Sequence, residues 1–88
     1  MISTKEKSII KKIAIRYRAK RVLLFGSSLH KKSARDIDLA VEGIPAANFF
    51  KFYGDLLFSL PKPVDLVDLS HDSKFTRLVR QEGLAIHG

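Results

Sequence analysis

The chain contains no cysteine and no tryptophan, one methionine and three prolines in 88 residues. Without thiols, a disulfide scaffold, a thiolate zinc site and a cysteine nucleophile are all excluded, and the reducing cytoplasm is the expected compartment. No run of about 18 apolar residues occurs, so no membrane span is expected. The N-terminal MISTKEKSIIKK has neither an apolar signal core nor a small-residue cleavage site, and is read as carrying no secretory signal. Internal repeats, low-complexity tracts and interdomain linkers are also missing.

What is present suits one small globular domain spanning residues 1–88, whose thin core makes company from a partner useful. Hydrophobic residues make up 45% and charged residues 28%, enough apolar, patterned sequence to argue against disorder. The net charge of +7 is unevenly placed. Residues 1–35 hold eleven Lys/Arg and one acid, Glu6, whereas residues 36–88 hold five Lys/Arg and eight acids. Eight of the bases lie between Lys5 and Arg21. Such a stretch attracts phosphate, or simply solvates a helix face.

Glycine and proline divide the chain into alternating segments at Gly26, Gly43-Ile44-Pro45, Pro61-Lys62-Pro63 and Gly83. Ile9, Ile10, Ile13, Ala14 and Tyr17 recur at helical steps, and Ser3 and Glu6 have capping-box spacing, so a helix is expected over 4–18. Residues 21–25 read as a buried strand ending at Gly26, with a short helix starting over 27–32. Ile37, Leu39 and Val41 alternate with Asp36, Asp38 and Ala40, which predicts a strand over 36–42. Pro45 opens a helix to about Leu60, with Phe49, Tyr53, Leu56, Leu57 and Leu60 as its apolar stripe. Gly54 interrupts its propensity. Residues 63–69 read as a third strand. Residues 73–82 read as a last helix with Phe75, Leu78 and Val79 facing inward, and Leu84–His87 as a short strand or tail. This order implies an α/β (α+β) domain: a small mixed sheet of three or more strands flanked by helices.

Asp36 and Asp38 leave the same face of their strand, roughly 6–7 Å apart. Two carboxylates so close repel each other, and a divalent cation with a preference for hard oxygen ligands, such as Mg²⁺, relieves that repulsion. Asp65, on another strand, can bring a third carboxylate to the same place, or all three can sit on a wet sheet face. Asp68 falls on the opposite face from Asp65 and has no supporting context. Gly26-Ser27 is either a tight turn with a helix cap or a place where backbone N–H groups meet a phosphate. His30, His71 and His87 show no ligand spacing.

Phe25-Gly26-Ser27, Asp36-Ile37-Asp38-Leu39 and Val64-Asp65-Leu66 together resemble the nucleotidyltransferase superfamily related to DNA polymerase β, and the size resembles its minimal MNT-type members. The resemblance implies the nucleotidyltransferase fold and two Mg²⁺ ions held by Asp36, Asp38 and Asp65. It implies that Asp65 helps activate an acceptor hydroxyl, while Gly26, Ser27 and Ser28 hold the outer phosphates of a nucleoside triphosphate, expected to be ATP. Where many members carry an arginine after the Gly-Ser pair, this chain has Ser28, and Lys31, Lys32 and Arg35 are the bases placed to supply that charge. The implied chemistry is in-line attack at the α-phosphorus with release of pyrophosphate. The implied partner is a HEPN-domain protein, the two forming a toxin–antitoxin pair. A non-catalytic antitoxin of the same fold and a basic nucleic-acid-binding protein are the rival readings.

Overall fold

The computed structural model describes residues 2–26, 29 and 35–88. The expected 27–32 helix, and with it Ser27, Ser28, Lys31 and Lys32, lies outside the described residues except for Leu29. Helix α1 (Thr4–Arg16) is followed by strands β1 (Arg21–Leu24) and β2 (Ile37–Glu42), helix α2 (Ala46–Ser59), strand β3 (Val64–Asp68), helix α3 (Lys74–Glu82) and strand β4 (Leu84–His87). The sheet order is β3-β2-β1-β4. Strand β1 is antiparallel to both β2 and β4, and α2 carries the chain from β2 to the parallel strand β3. The segment expected as strand or tail at Leu84–His87 is a strand, and the mixed, helix-flanked sheet is as expected.

Local chemistry explains the boundaries. Helix α1 starts at a capping box: the Ser3 hydroxyl accepts from the Glu6 N–H at 3.1 Å, and the Glu6 carboxylate accepts from the Ser3 N–H at 2.8 Å. Pro45 is the N-cap of α2, one residue outside the position expected for it. Ser73 and Thr76 form a second capping box at α3.

Strand alternation gives the sheet two unlike faces. Ile37, Leu39, Val41, Val22, Leu24 and Val64 point to one side, where Ile10, Ile13 and Ala14 of α1 and Phe52 and Leu56 of α2 cover them. Phe52 is completely buried and meets Tyr17 edge-to-face at 5.5 Å. The Tyr17 hydroxyl donates to Asp55 at 2.7 Å, joining α1 to α2, and the Tyr53 hydroxyl donates to the Val64 carbonyl, joining α2 to β3. On the second face a smaller cluster of Leu23, Ala40, Leu69 and Val79 seats α3.

Two helix faces differ from expectation. On α2, Leu56 and Leu60 of the expected stripe are buried and Phe49 and Tyr53 pack partly buried against the core, but Leu57 is exposed and the fully buried Phe52 lies outside that stripe. On α3, Val79 is buried as expected, but Phe75 and Leu78 are 51% and 49% exposed. No described helix is long and apolar enough to cross a membrane.

Candidate functional site

The second face of the sheet is only partly covered by α3, and the aspartates occupy its open end. Strands β2 and β3 are parallel in the register Ile37↔Val64, Asp38↔Asp65, Leu39↔Leu66. Ile37 and Val64 point together into the helix-covered core, at 1% and 2% exposure. Alternation therefore turns Asp38 and Asp65 together onto the other face, on neighbouring strands about 4.8 Å apart. The Ile37 N–H donates to the Pro63 carbonyl at 2.8 Å, which holds the two strand starts level. Asp36 immediately precedes β2 in an exposed bend, one position short of the strand expected to carry it.

Both Asp65 and Asp36 act electrostatically on Asp38. Asp38 is half-buried and its carboxyl is held above the ordinary aspartate value of 3.8. Burial is the largest cause, followed by the negative charge of Asp65, that of Asp36, and a hydrogen bond with Asp65. Asp65 and Asp36 are exposed. Such a group gains most from a cation: adjacent hard oxygens in partial burial repel when both are ionised, and a divalent ion removes the repulsion. This donor chemistry suits Mg²⁺. Among the described residues, no group of three His, Cys, Asp or Glu side chains is placed so as to hold a metal ion. The Asp38–Asp65 pair is thus the core of the site, with Asp36 adding charge from its rim.

Gly26 closes the site on the β1 side. It has a φ of +68°, and an added Cβ would lie 2.6 Å from the Asp38 Oδ2. Both facts require glycine: a side chain would be strained by the backbone and would collide with the carboxylate. The Phe25 N–H donates to the Asp38 carbonyl at 3.0 Å, so the turn and the acid are fixed to each other. Arg35 is exposed just before Asp36.

Other sequence candidates fall elsewhere. Asp68 accepts from its own Ser70 N–H at 2.9 Å, a local turn. His87 Nε2 lies 2.9 Å from the Ala19 carbonyl, and His71 is exposed. The exposed bases from Lys5 to Arg21 begin on α1, on the sheet face opposite the carboxylates.

A cavity of about 300 Å³ adjoins Gly26, between Phe25, Gly26 and Leu29 on one side and Phe75, Leu78 and Glu82 of α3 on the other. Sequence reading missed it, because Phe75 and Leu78 have the helical spacing of core residues. A larger groove of about 520 Å³ runs between the start of α1 and the end of α2, among Glu6, Ile9, Phe58 and Lys62, and does not reach the carboxylates.

No family model and no curated protein matches the sequence. The fold does match solved structures. The chain is similar to the structure of a tri-AMPylated Shewanella oneidensis HEPN toxin in complex with MNT antitoxin, at 25% identity and a TM-score of 0.75, over 99% of this chain and 73% of the other. A toxin–antitoxin complex with AMP-PNP aligns at 25% identity and a TM-score of 0.72, over 93% and 73%. A MntA–HepT complex in which two aspartates are replaced by glutamate aligns at 24% identity and a TM-score of 0.76, over 93% and 72%. The three helices and four-stranded mixed sheet among the described residues are the fold of these MNT neighbours.

Proposed function

We propose that this chain is a minimal nucleotidyltransferase that moves AMP from ATP to a hydroxyl on a HEPN-domain partner, and so acts as the antitoxin of a toxin–antitoxin pair. The observation that carries the reading is the side-by-side register of Asp38 and Asp65 against the Gly26 turn. The neighbours supply the context: one is a complex with AMP-PNP, another a HEPN toxin that carries AMP.

Asp38, Asp65 and Asp36 would hold Mg²⁺, which when bound supplies positive charge at the α-phosphate and the leaving pyrophosphate. Gly26, lacking a side chain, lets the phosphate chain approach the backbone beside Asp38. Ser27, Ser28, Lys31, Lys32 and Arg35 are assigned to the outer phosphates. Asp65 lies on the edge strand β3, beyond Asp38 as seen from Gly26, so an acceptor enters from that side. Asp65 orients the hydroxyl and takes its proton as the oxygen bonds to the α-phosphorus. The bond from that phosphorus to the pyrophosphate oxygen breaks on the opposite side. No protein nucleophile is required, in keeping with the lack of cysteine, and the cytoplasm is the compartment assigned.

The test is transfer of label from α-labelled ATP, with Mg²⁺, to a co-expressed HEPN partner. Transfer should occur with the natural chain and fall at least a hundredfold with Asp38→Ala and with Asp65→Ala, with the circular dichroism of both variants unchanged. A partner neutralised equally by these variants, with no label transferred, would establish inhibition by contact and overturn the enzymatic reading.

A further inference from the structure

Helix α2 carries an apolar stripe that the fold does not use. Phe50, Gly54, Leu57 and Phe58 follow one another at helical steps, on the side away from Phe52 and Leu56. Phe50 and Phe58 are 80% and 93% exposed, and Leu57 between them is exposed too. Gly54 leaves a gap in the stripe, where an added Cβ would meet nothing within 4 Å. From Phe50 to Phe58 the stripe runs about 12 Å along the helix. A single exposed aromatic is ordinary, whereas a row of apolar side chains marks a contact surface.

The stripe opens into the groove between α1 and α2 and is edged by positive charge on that side. Phe58 and Leu60 form one wall of this groove of about 520 Å³, and Lys5 and Ile9 form the other. Further along, Arg16 of α1 reaches Asp55 of α2 at 3.4 Å. Lys5, Ile9, Lys12 and Arg16 recur at helical steps, so the flank of α1 that meets α2 is basic along its length. The carboxylate in the groove, Glu6, is buried, caps α1 and has the Lys62 ammonium 3.9 Å away. Among the described residues the exposed acids are Asp36, Asp65, Asp72 and Glu82, which lie at the carboxylate site or at α3 and leave this surface uniformly basic.

Charge selects the occupant. A two-fold interface uses one patch twice, so a second copy would set basic residues against basic residues on chains that each carry +7. Single-stranded nucleic acid suits the charge, but Leu57 and the aliphatic groove walls of Ile9 and Leu60 offer its nucleobases nothing to stack on. A helix with an apolar stripe of its own and acidic residues along one edge fits both features. We propose that α2 and the adjoining flank of α1 dock an acidic, amphipathic helix of the protein partner, on the opposite side of the sheet from Asp38. The proposal takes its partner from the nucleotidyl-transfer reading, on which it rests, and adds the surface that holds that partner. Phe50 and Phe58 anchor the helix, Gly54 lets it approach closely, and Lys5, Lys12 and Arg16 fix its direction. Held there, the partner passes round the edge strand β3, to which Tyr53 ties α2, and presents its hydroxyl at Asp65.

The experiment measures the affinity of the full chain for a purified HEPN partner without ATP and, separately, for ATP with Mg²⁺. The natural chain is compared with Phe50→Ser/Phe58→Ser, with Gly54→Glu and with Lys5→Glu/Lys12→Glu. All of these positions are exposed, so folding is spared, and an unchanged melting temperature verifies this. Aromatic anchors dominate such contacts, so Phe50→Ser/Phe58→Ser should weaken the partner about tenfold or more. Gly54→Glu, which sets a carboxylate against an acidic helix, should act in the same direction. Lys5→Glu/Lys12→Glu should slow association, most of all at low salt. ATP binding should be unchanged in all three variants. Natural affinity for the partner in both Phe50→Ser/Phe58→Ser and Gly54→Glu overturns the docking surface and leaves the transferase intact. Partner binding that survives while these variants lose self-association, or lose RNA, assigns the surface to a second copy or to nucleic acid and equally overturns it. Partner affinity lost in the variants, with no label passing from ATP in the natural chain, supports the docking surface and overturns the transfer. Failure of the natural chain to bind the partner overturns the antitoxin reading and this inference together.

Discussion

At the scale of single residues, Asp38 is placed against the interest of the fold. It is half-buried beside two other carboxylates, and its proton affinity is raised by burial, by Asp65 and by Asp36. An acid that holds its proton more tightly when folded destabilises the fold progressively as pH rises from its ordinary value through the raised one. Asp38→Asn removes that cost at neutral pH and keeps the shape. The metal-free variant should therefore unfold at higher urea than the natural chain at pH 7, and the difference should shrink on acidification toward pH 4. Added Mg²⁺ should raise the melting temperature of the natural chain more than that of the variant, because a ligand that binds only the folded form stabilises it. A variant less stable than the natural chain at pH 7 would mean that Asp38 is structural. The Asp36/Asp38 pair was legible in the sequence, since alternation alone places two such residues on one face. Asp65 was expected at the same place too, from its strand and from the family resemblance, but its register partner was not legible. Register between parallel strands joined by a helix is set by packing on the opposite face of the sheet from the acids, here by Ile37 and Val64 seated together in the core.

At the scale of elements, the legible parts are those with a single dominant pattern. Helix α1 has one apolar face and a capping box, and it begins where the sequence places it, at Thr4. Helix α2 is different, because Phe49, Phe50, Phe52, Tyr53, Leu56, Leu57 and Phe58 surround it. With apolar residues on nearly every side, periodicity does not select a buried face. The rotation observed aims Asp55 at the Tyr17 hydroxyl and Phe52 at the Tyr17 ring, which are long-range contacts invisible to local spacing. On α3 the cluster beneath the helix, Leu23, Ala40 and Leu69, is too small to cover Phe75 and Leu78. Gly54 lowers the helix propensity of α2, yet the helix runs through it, held by packing on either side. An added Cβ there would meet nothing within 4 Å. Gly54→Ala should therefore stabilise the protein by about 0.5–1 kcal/mol, by lowering the entropy of the unfolded chain. Chemical denaturation measures it, and ATP binding should be unaffected because α2 lies across the sheet from Asp38. A destabilised Gly54→Ala would show that this face of α2 is packed against something in solution.

At the scale of the whole molecule, the charges are sorted by side. The sheet carries its aspartates on one face, while Lys5, Lys7, Lys11, Lys12 and Arg16 are exposed on α1 across the other, with Arg18, Lys20 and Arg21 following it. Of these eight bases, only Arg16 and Lys20 lie within 4.0 Å of a carboxylate among the described residues. The remainder act as unneutralised surface charge, and a net charge of +7 on 88 residues attracts any polyanion. This is the physical content of the nucleic-acid reading, and salt separates it from the transferase. Contact made through phosphates alone releases counterions. Six or more such contacts lose about a thousandfold in affinity between roughly 50 and 200 mM salt. Single-stranded RNA should therefore bind weakly at low salt and be released near 200 mM. Its affinity should be indifferent to Asp38→Asn and reduced when Lys5, Lys11 and Lys12 are replaced by glutamine. RNA retained at 200 mM salt, or displaced competitively by ATP with Mg²⁺, would place nucleic acid on the carboxylate face and make it the substrate that accepts the nucleotide. Release by salt, with label still passing to the protein partner, would leave α1 as a solvated basic helix that slows escape from acidic surfaces and takes no part in the chemistry.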